Sequence, residues 1–252
     1  MITTIARREL GMLFRSPLTW IVAALMQVVF AWLFLLTLED YLLLQPKLAL
    51  QDHAPGITAF MSFRYIAPVS SLLLLVCPLL TMRSFSDEYR LQTYPLLSSS
   101  PVSLTALVLG KFTGVWIFAI GLAILIVIMP LSLAPVSGID SRTLLLALAG
   151  LLALSASSTA IGIFYSSITK HNFTAAIATL MTIAFFWLAG KGQYEPAIVA
   201  ELMSALAMST HLGNFFQGIV HSRDIFWFVI VTVLFLTLTV IRLDSQRYSP
   251  AH

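Results

Sequence analysis

The residues of this chain that could do chemistry are few, and the densest group is Arg83-Ser-Phe-Ser-Asp87-Glu88-Tyr-Arg90. Adjacent carboxylates can act as general acid and base, and within a bilayer such a pair would suit an intramembrane protease. Here the acids lie between two long apolar runs, with no histidine near them in sequence. The five histidines, His53, His171, His211, His221 and His252, show neither a short metal spacing nor an in-bilayer position suited to haem. Each reads as a solvated loop residue, and no metal site is expected. Gly110-Lys111 and Gly190-Lys191 lack the upstream glycine and the following hydroxyl residue of a phosphate-binding loop, so nucleotide hydrolysis by this chain is not expected. The single cysteine, Cys77, excludes an intramolecular disulfide and reads as a small apolar filler.

The elements that must position these residues are membrane helices. Of 252 residues, 59% are hydrophobic and 10% charged, and the mean hydropathy is +0.93; a water-soluble domain carries about 25% charged residues. The net charge of +3 follows from membrane topology and does not call for nucleic acid. In residues 1–15, Ile2, Ile5, Ala6, Leu10, Leu13 and Phe14 recur at helical spacing, with Arg7, Arg8, Gly11 and Arg15 opposite. A basic amphipathic helix of this kind lies in the membrane interface, with Arg7, Arg8 and Arg15 as anchors to anionic headgroups. Ser16-Pro17 then suits the start of a helix. A signal peptide shares this order of charge and apolar core, but the core is too long and lacks a cleavage site.

The expected fold is all-α, a single transmembrane domain over residues 1–252. Six spans are delimited by where charge is absent, near 18–38, 60–82, 106–129, 144–168, 173–190 and 225–242. The uncharged run of 23 residues from Ser16 to Leu38 suffices, at about 1.5 Å per residue, to cross a hydrocarbon core of about 30 Å. Pro68 and Pro78 should bend the second span. Between the fifth and sixth, Lys191 to Asp224 is mixed in character. It reads as one or two short interfacial or re-entrant helices, with Pro196 suited to a helix start. In the fourth span small residues recur at intervals of four, Ala149, Ala153 and Ser157 in one row and Gly150, Ser158 and Gly162 in the next. Such spacing lets another helix approach closely; internal packing, a lumenal lining or a dimer face would each use it. No span carries a carboxylate, histidine or arginine near its midplane unless the second begins early enough to include Arg64, so the energy for any transport must come from elsewhere.

Orientation follows from counting lysines and arginines. With both termini inside, nine of the fourteen basic residues face the cytoplasm, and seven of the eleven acids face outward. The island from Arg83 to Ser103 is then a cytoplasmic elbow. A short helix beginning near Ser84, with acids in its first turn where the dipole favours them and ended by Pro95, could sit in a cleft of a soluble partner. Force on it would pass into the second and third spans; a solvated loop with capping residues is the plainer alternative.

These residues resemble a family. Thr81-Met-Arg-Ser-Phe-Ser-Asp-Glu-Tyr-Arg, then Thr93, Leu96-Leu97, Ser100-Pro-Val-Ser103 and Leu109-Gly-Lys-Phe112 look like the stretch after the second span of ABC-2 type transporter permeases. That pattern runs roughly arginine, a glutamate pair, a basic residue, glycine-threonine, glutamate, leucines and proline-valine-serine. His211, Phe215, Gly218-Ile-Val220 and Ser222-Arg-Asp224 are similar to the outer segment of the branch related to the gliding-motility-associated ABC transporter. The chain departs from the pattern at Asp87 for glutamate, Gln92 for glycine and Pro95 for glutamate, and a proline there should shorten the elbow helix.

The resemblance implies a permease of the bacterial inner membrane that dimerises with itself or a sister permease and docks cytoplasmic ATPase subunits. ATP and Mg would be held by those ATPases, with no cofactor on this chain. Arg83, Asp87, Glu88, Arg90 and Thr93 would contact the ATPase. His211, Arg223 and Asp224 would order the outer segment, or Arg223 and Asp224 would form only a helix cap and a local ion pair. A membrane scaffold of a motility or secretion machine and an intramembrane enzyme remain open as other classes.

Overall fold

A computed structural model describes residues 1–48, 56–92, 103–134, 140–192 and 195–248. Among them the secondary structure is helical, without strands. In chain order the helices are α1 (Ile2–Arg15), α2 (Pro17–Leu48), α3 (Ile57–Met61), a π-helical turn (Ser62–Ile66), α4 (Ala67–Thr81), α5 (Ser86–Arg90), α6 (Leu104–Leu131), α7 (Ser141–Ile168), α8 (Asn172–Leu188), α9 (Ala197–Leu206), α10 (Met208–Phe216) and α11 (Ser222–Tyr248).

Among the described residues, five stretches are long and apolar enough to cross a membrane: Pro17–Pro46, Ile57–Arg90, Leu104–Leu131, Ser141–Ile168 and Ser222–Gln246. The expected fifth span is α8, apolar but only 17 residues long. α2 runs well past the expected end at residue 38, through Glu39 and Asp40, because charge ends a hydrophobic stretch but not a helix. Pro68 has no amide to give the preceding turn. The ladder widens just before it, across Ser62–Ile66, where the Ala67 N–H reaches back to the Ser62 carbonyl. Arg64 lies in this widened turn, 3.6 Å from Asp40 of α2 with both side chains exposed.

α7 is the hub, in contact with α4, α6, α8, α10 and α11. Its small residues explain how: a Cβ on Gly150 would come within 2.8 Å of the Phe215 Cβ on α10, and one on Gly162 would collide with Thr81 of α4. Ser157 and Ser158 are buried and return their hydroxyls to the Leu154 carbonyl at 3.0 and 2.8 Å, so neither of these two hydroxyls is an orphaned donor. The two rows therefore differ. Gly150, Ser158 and Gly162 all face inward, whereas in the other row Ala149 is exposed, Ala153 half-buried and only Ser157 buried. α2 and α11 ring this core, with only 11% and 22% of their most apolar stretches buried, so residues such as Trp20, Trp32, Phe226 and Ile230 are left exposed to whatever apolar medium surrounds the protein.

Candidate functional site

α5 is only five residues long, and a helix that short has no stability of its own. What holds it is a set of buried polar bonds to other helices. Lys111 of α6 is 1% exposed, and its ammonium lies 2.5 Å from Glu9 Oε1, 2.7 Å from Glu88 Oε1 and 2.6 Å from the Ser84 carbonyl. An ammonium has three N–H groups, and these three acceptors use them all. The same nitrogen sits 4.9 Å from the centre of the Phe85 ring, a cation–π contact away from water.

The amide groups at the start of α5 are capped from across the fold. Ser166 Oγ, near the end of α7, accepts from the N–H groups of Phe85 at 2.8 Å and Ser86 at 3.1 Å. Ser86 Oγ in turn donates to the Ser166 carbonyl at 3.1 Å. Asn172 at the start of α8 donates to Asp87 at 2.7 Å, and Tyr89 donates to Gln246 of α11 at 2.7 Å. The elbow is thereby tied to α6, α7, α8 and α11, and through Lys111 to α1.

Glu9 reaches Lys111 because α1 lies directly on α6. Gly110 and Gly114, one helical turn apart, make the close approach. A Cβ on Gly110 would be 2.6 Å from the Ile5 Cβ, and one on Gly114 would be 2.7 Å from the Glu9 Cβ. The face of α1 carrying Ala6 and Glu9 is buried, Ile5 and Leu13 are half-buried, and Arg7, Arg8 and Arg15 are exposed. The expected lipid-facing apolar side of α1 is thus in part a protein-packing side.

Of the elbow residues singled out from sequence, Arg83 and Arg90 are exposed and Asp87 is partly covered, 3.4 Å from Arg90. Glu88 is turned inward, its side chain 13% exposed, so it grips Lys111 from within and does not face outward. Thr93 and Pro95 lie outside the described residues. The helix begins at Ser86, not Ser84, and its end is marked by Gln92, whose φ of 56° is the left-handed conformation glycine favours. Lys111, within the expected third span of 106–129, lies two turns inside α6.

A second polar cluster lies at the other sequence motif. His211 is 3% exposed, so it is not the solvated loop residue expected from sequence. Its Nδ1 is 2.6 Å from Asp224 Oδ1 and its Nε2 is 3.1 Å from the Ala205 carbonyl. The imidazole thereby bridges a carboxylate and a backbone carbonyl, one on each ring nitrogen. The ring stacks on Trp227 at 5.3 Å, and Asn214 donates to the other Asp224 oxygen at 2.9 Å. Arg223 is exposed at the edge of the same cleft. Asp224 therefore pairs with His211, thirteen residues upstream, in place of the local pair with Arg223 considered from sequence. In the loop before α7, Asp140 caps the helix. Hydrogen bonds from the Thr143 hydroxyl and the Arg142 amide hold its carboxyl below the usual range.

A family model described as ABC-2 family transporter protein matches residues 46–241. The chain belongs to this family. It is therefore a multi-pass membrane transport subunit, a permease, and ABC-2 permeases generally pair with a cytoplasmic ABC ATPase. The match takes in the elbow, Lys111 and the His211–Asp224 pair, and leaves out α1 with Glu9. No curated protein matches the chain in sequence. Among the described residues no group of three or more histidine, cysteine, aspartate or glutamate side chains is arranged to hold a metal ion.

Reading the sequence missed Glu9 and Lys111. A signal for each was present: Glu9 follows Ile5 by four residues and precedes Leu13 by four, on the apolar stripe of α1, and Lys111 sits within Gly110-Lys-Phe-Thr-Gly114, a close-packing spacing.

Proposed function

We propose that this chain is the transmembrane subunit of an ATP-driven exporter and that α5 is the helix through which a cytoplasmic ABC ATPase moves it. The single observation that carries the reading is the attachment of α5 to five other helices through Lys111, Ser166, Asn172 and Gln246. A push on a helix so attached moves α1, α6, α7, α8 and α11 together, because packed interiors transmit displacement instead of absorbing it. Arg83, Asp87 and Arg90 present the docking charges, Thr93 remains a further contact expected from the resemblance, and Glu88 holds the helix from behind.

In this reading residues 1–252 form one domain with six spans, α8 being the short one, both termini are cytoplasmic, and the membrane is the bacterial inner membrane. α1 lies at the inner interface, anchored by Arg7, Arg8 and Arg15, while α9 and α10 sit at the outer one. Two permeases pair, and each ATPase holds its own ATP and Mg. The two motif stretches further favour the branch related to the gliding-motility-associated transporter.

The test is purification from native membranes with identification of any co-purifying ABC ATPase, followed by reconstitution of the pair. Charge reversal of Arg83→Glu with Arg90→Glu, both exposed, should abolish co-purification and permease-stimulated ATP hydrolysis while membrane insertion is kept. Normal stimulation by that variant would remove α5 from the docking surface. A complex whose ATP hydrolysis does not respond to the permease would favour a scaffold.

A further inference from the structure

A cleft of about 550 Å³ opens between α1, the start of α2, the end of α4 and the elbow. One wall is apolar and open to solvent: Met12, Leu18, Leu79 and Leu91 are 45%, 40%, 39% and 64% exposed. Arg8 and Arg83, both exposed, line the same space. The carboxylates that line it are already engaged, Glu9 and Glu88 by Lys111, and Asp87 by Arg90 and Asn172. Among the described residues no carboxylate lies within ion-pair distance of Arg8 or Arg83. The cleft therefore offers two guanidinium groups beside an apolar slot.

That combination selects its occupant. Guanidinium groups bind phosphate oxygens in pairs, with better geometry than any other side chain. A small soluble anion would leave the apolar wall wet, and an uncharged lipid would bring no anionic group into contact with Arg8 or Arg83. The neighbouring Trp20 donates its indole N–H to the Phe14 carbonyl at 2.7 Å, and an exposed tryptophan beside a basic amphipathic helix marks the headgroup level of a bilayer. We propose that this cleft binds one anionic phospholipid, its phosphate on Arg8 and Arg83 and an acyl chain along Met12, Leu18, Leu79 and Leu91. The inference rests on membrane insertion; Arg83 is shared with the proposed docking surface, so the test turns on Arg8 and Met12, which are not part of it, and the two readings can fail separately.

The experiment takes the full chain in nanodiscs of equal phosphatidylglycerol and phosphatidylcholine and reads retained lipid by native mass spectrometry. Phosphatidylglycerol should be enriched, and Arg8→Gln should lower the enrichment about fivefold, the factor one headgroup-facing arginine contributes. Met12→Trp, which fills the slot and keeps both arginines, should lower it as well, and excess inorganic phosphate should not compete. Unchanged enrichment in Arg8→Gln overturns the proposal. So does loss in Arg8→Gln with none in Met12→Trp, which is general surface attraction, and so does displacement by inorganic phosphate, which is a free-anion site. Loss of ATPase co-purification in Arg8→Gln with lipid retention intact would assign the cleft to the protein partner and overturn it too.

Discussion

Two buried ionic clusters among the described residues of this permease are built differently. At the elbow, one ammonium is shared by two carboxylates, and the three residues come from α1, α5 and α6, with Glu9 and Lys111 102 residues apart in sequence. At the other motif, one imidazole meets one carboxylate only 13 residues away, and the pair joins α10 to the first turn of α11. The first cluster closes long loops and makes three separate elements move as one. The second braces neighbours that the chain already keeps together, since closing a short loop has little entropy to overcome. Their composition also differs: two carboxyl groups share one ammonium at the elbow, whereas one carboxyl group meets one imidazole at the other motif. Two carboxyl groups that share one hydrogen-bonding ammonium depend on it, and that dependence sets the order of the expected effects.

The largest effect should come from Lys111→Met. It leaves Glu9 and Glu88 buried beside each other without a cation, and breaking a buried pair by removing one partner destabilises by about 3–5 kcal/mol. The thermal midpoint in detergent should fall, and hydrogen exchange should rise in α1, α5 and α6 together. Adding Glu9→Gln and Glu88→Gln should restore much of the midpoint, because the orphaned charges are then gone. An unchanged midpoint in the single variant would mean that the ammonium does not hold the three elements. Glu88→Arg belongs to the same test: it places a second cation against Lys111, so it should loosen the elbow from inside as well as altering any docking.

The His211–Asp224 pair should respond more weakly and more locally. Asp224→Asn keeps a side chain that can still accept from His211, and replacing a charged acceptor by a neutral one costs about 1–3 kcal/mol. Exchange should rise over Met208–Phe216 and the first turn of α11 with the elbow unchanged. If α1 and the elbow loosen too, the contrast between a long-range tie and a local brace is wrong.

What could be read from the sequence follows the same division. Helical class, the apolar spans and the position of the elbow came from composition and from the gap between hydrophobic runs, which are local properties. The inner row of small residues on α7, Gly150, Ser158 and Gly162, was readable because its spacing is periodic. The direction in which Glu88 points was not readable, because it is decided by Lys111, which lies beyond a Pro-punctuated connection and two turns into the next helix. His211 read as solvated for a related reason: its partner Asp224 and the stacking Trp227 lie across a turn in the chain. The length of α2 was underestimated because absence of charge measures the apolar stretch, and Glu39 and Asp40 continue the helix beyond it.

The smallest effect concerns the end of the elbow, where a related family pattern places glycine and this chain has Gln92. Its φ of 56° puts a Cβ into the left-handed region, at a penalty of roughly 1–2 kcal/mol for a residue other than glycine. Gln92→Gly removes the penalty but frees the unfolded backbone, so the net gain should be below about 1 kcal/mol. The Gln92 side chain is exposed, so little contact is lost. The gain should appear as slower hydrogen exchange or proteolysis at Ser86–Leu91, with the His211–Asp224 region unaffected. Faster cleavage there would mean that the glutamine side chain, and not the backbone, terminates α5, and would shift the cause of the short elbow helix to the proline substitution at position 95.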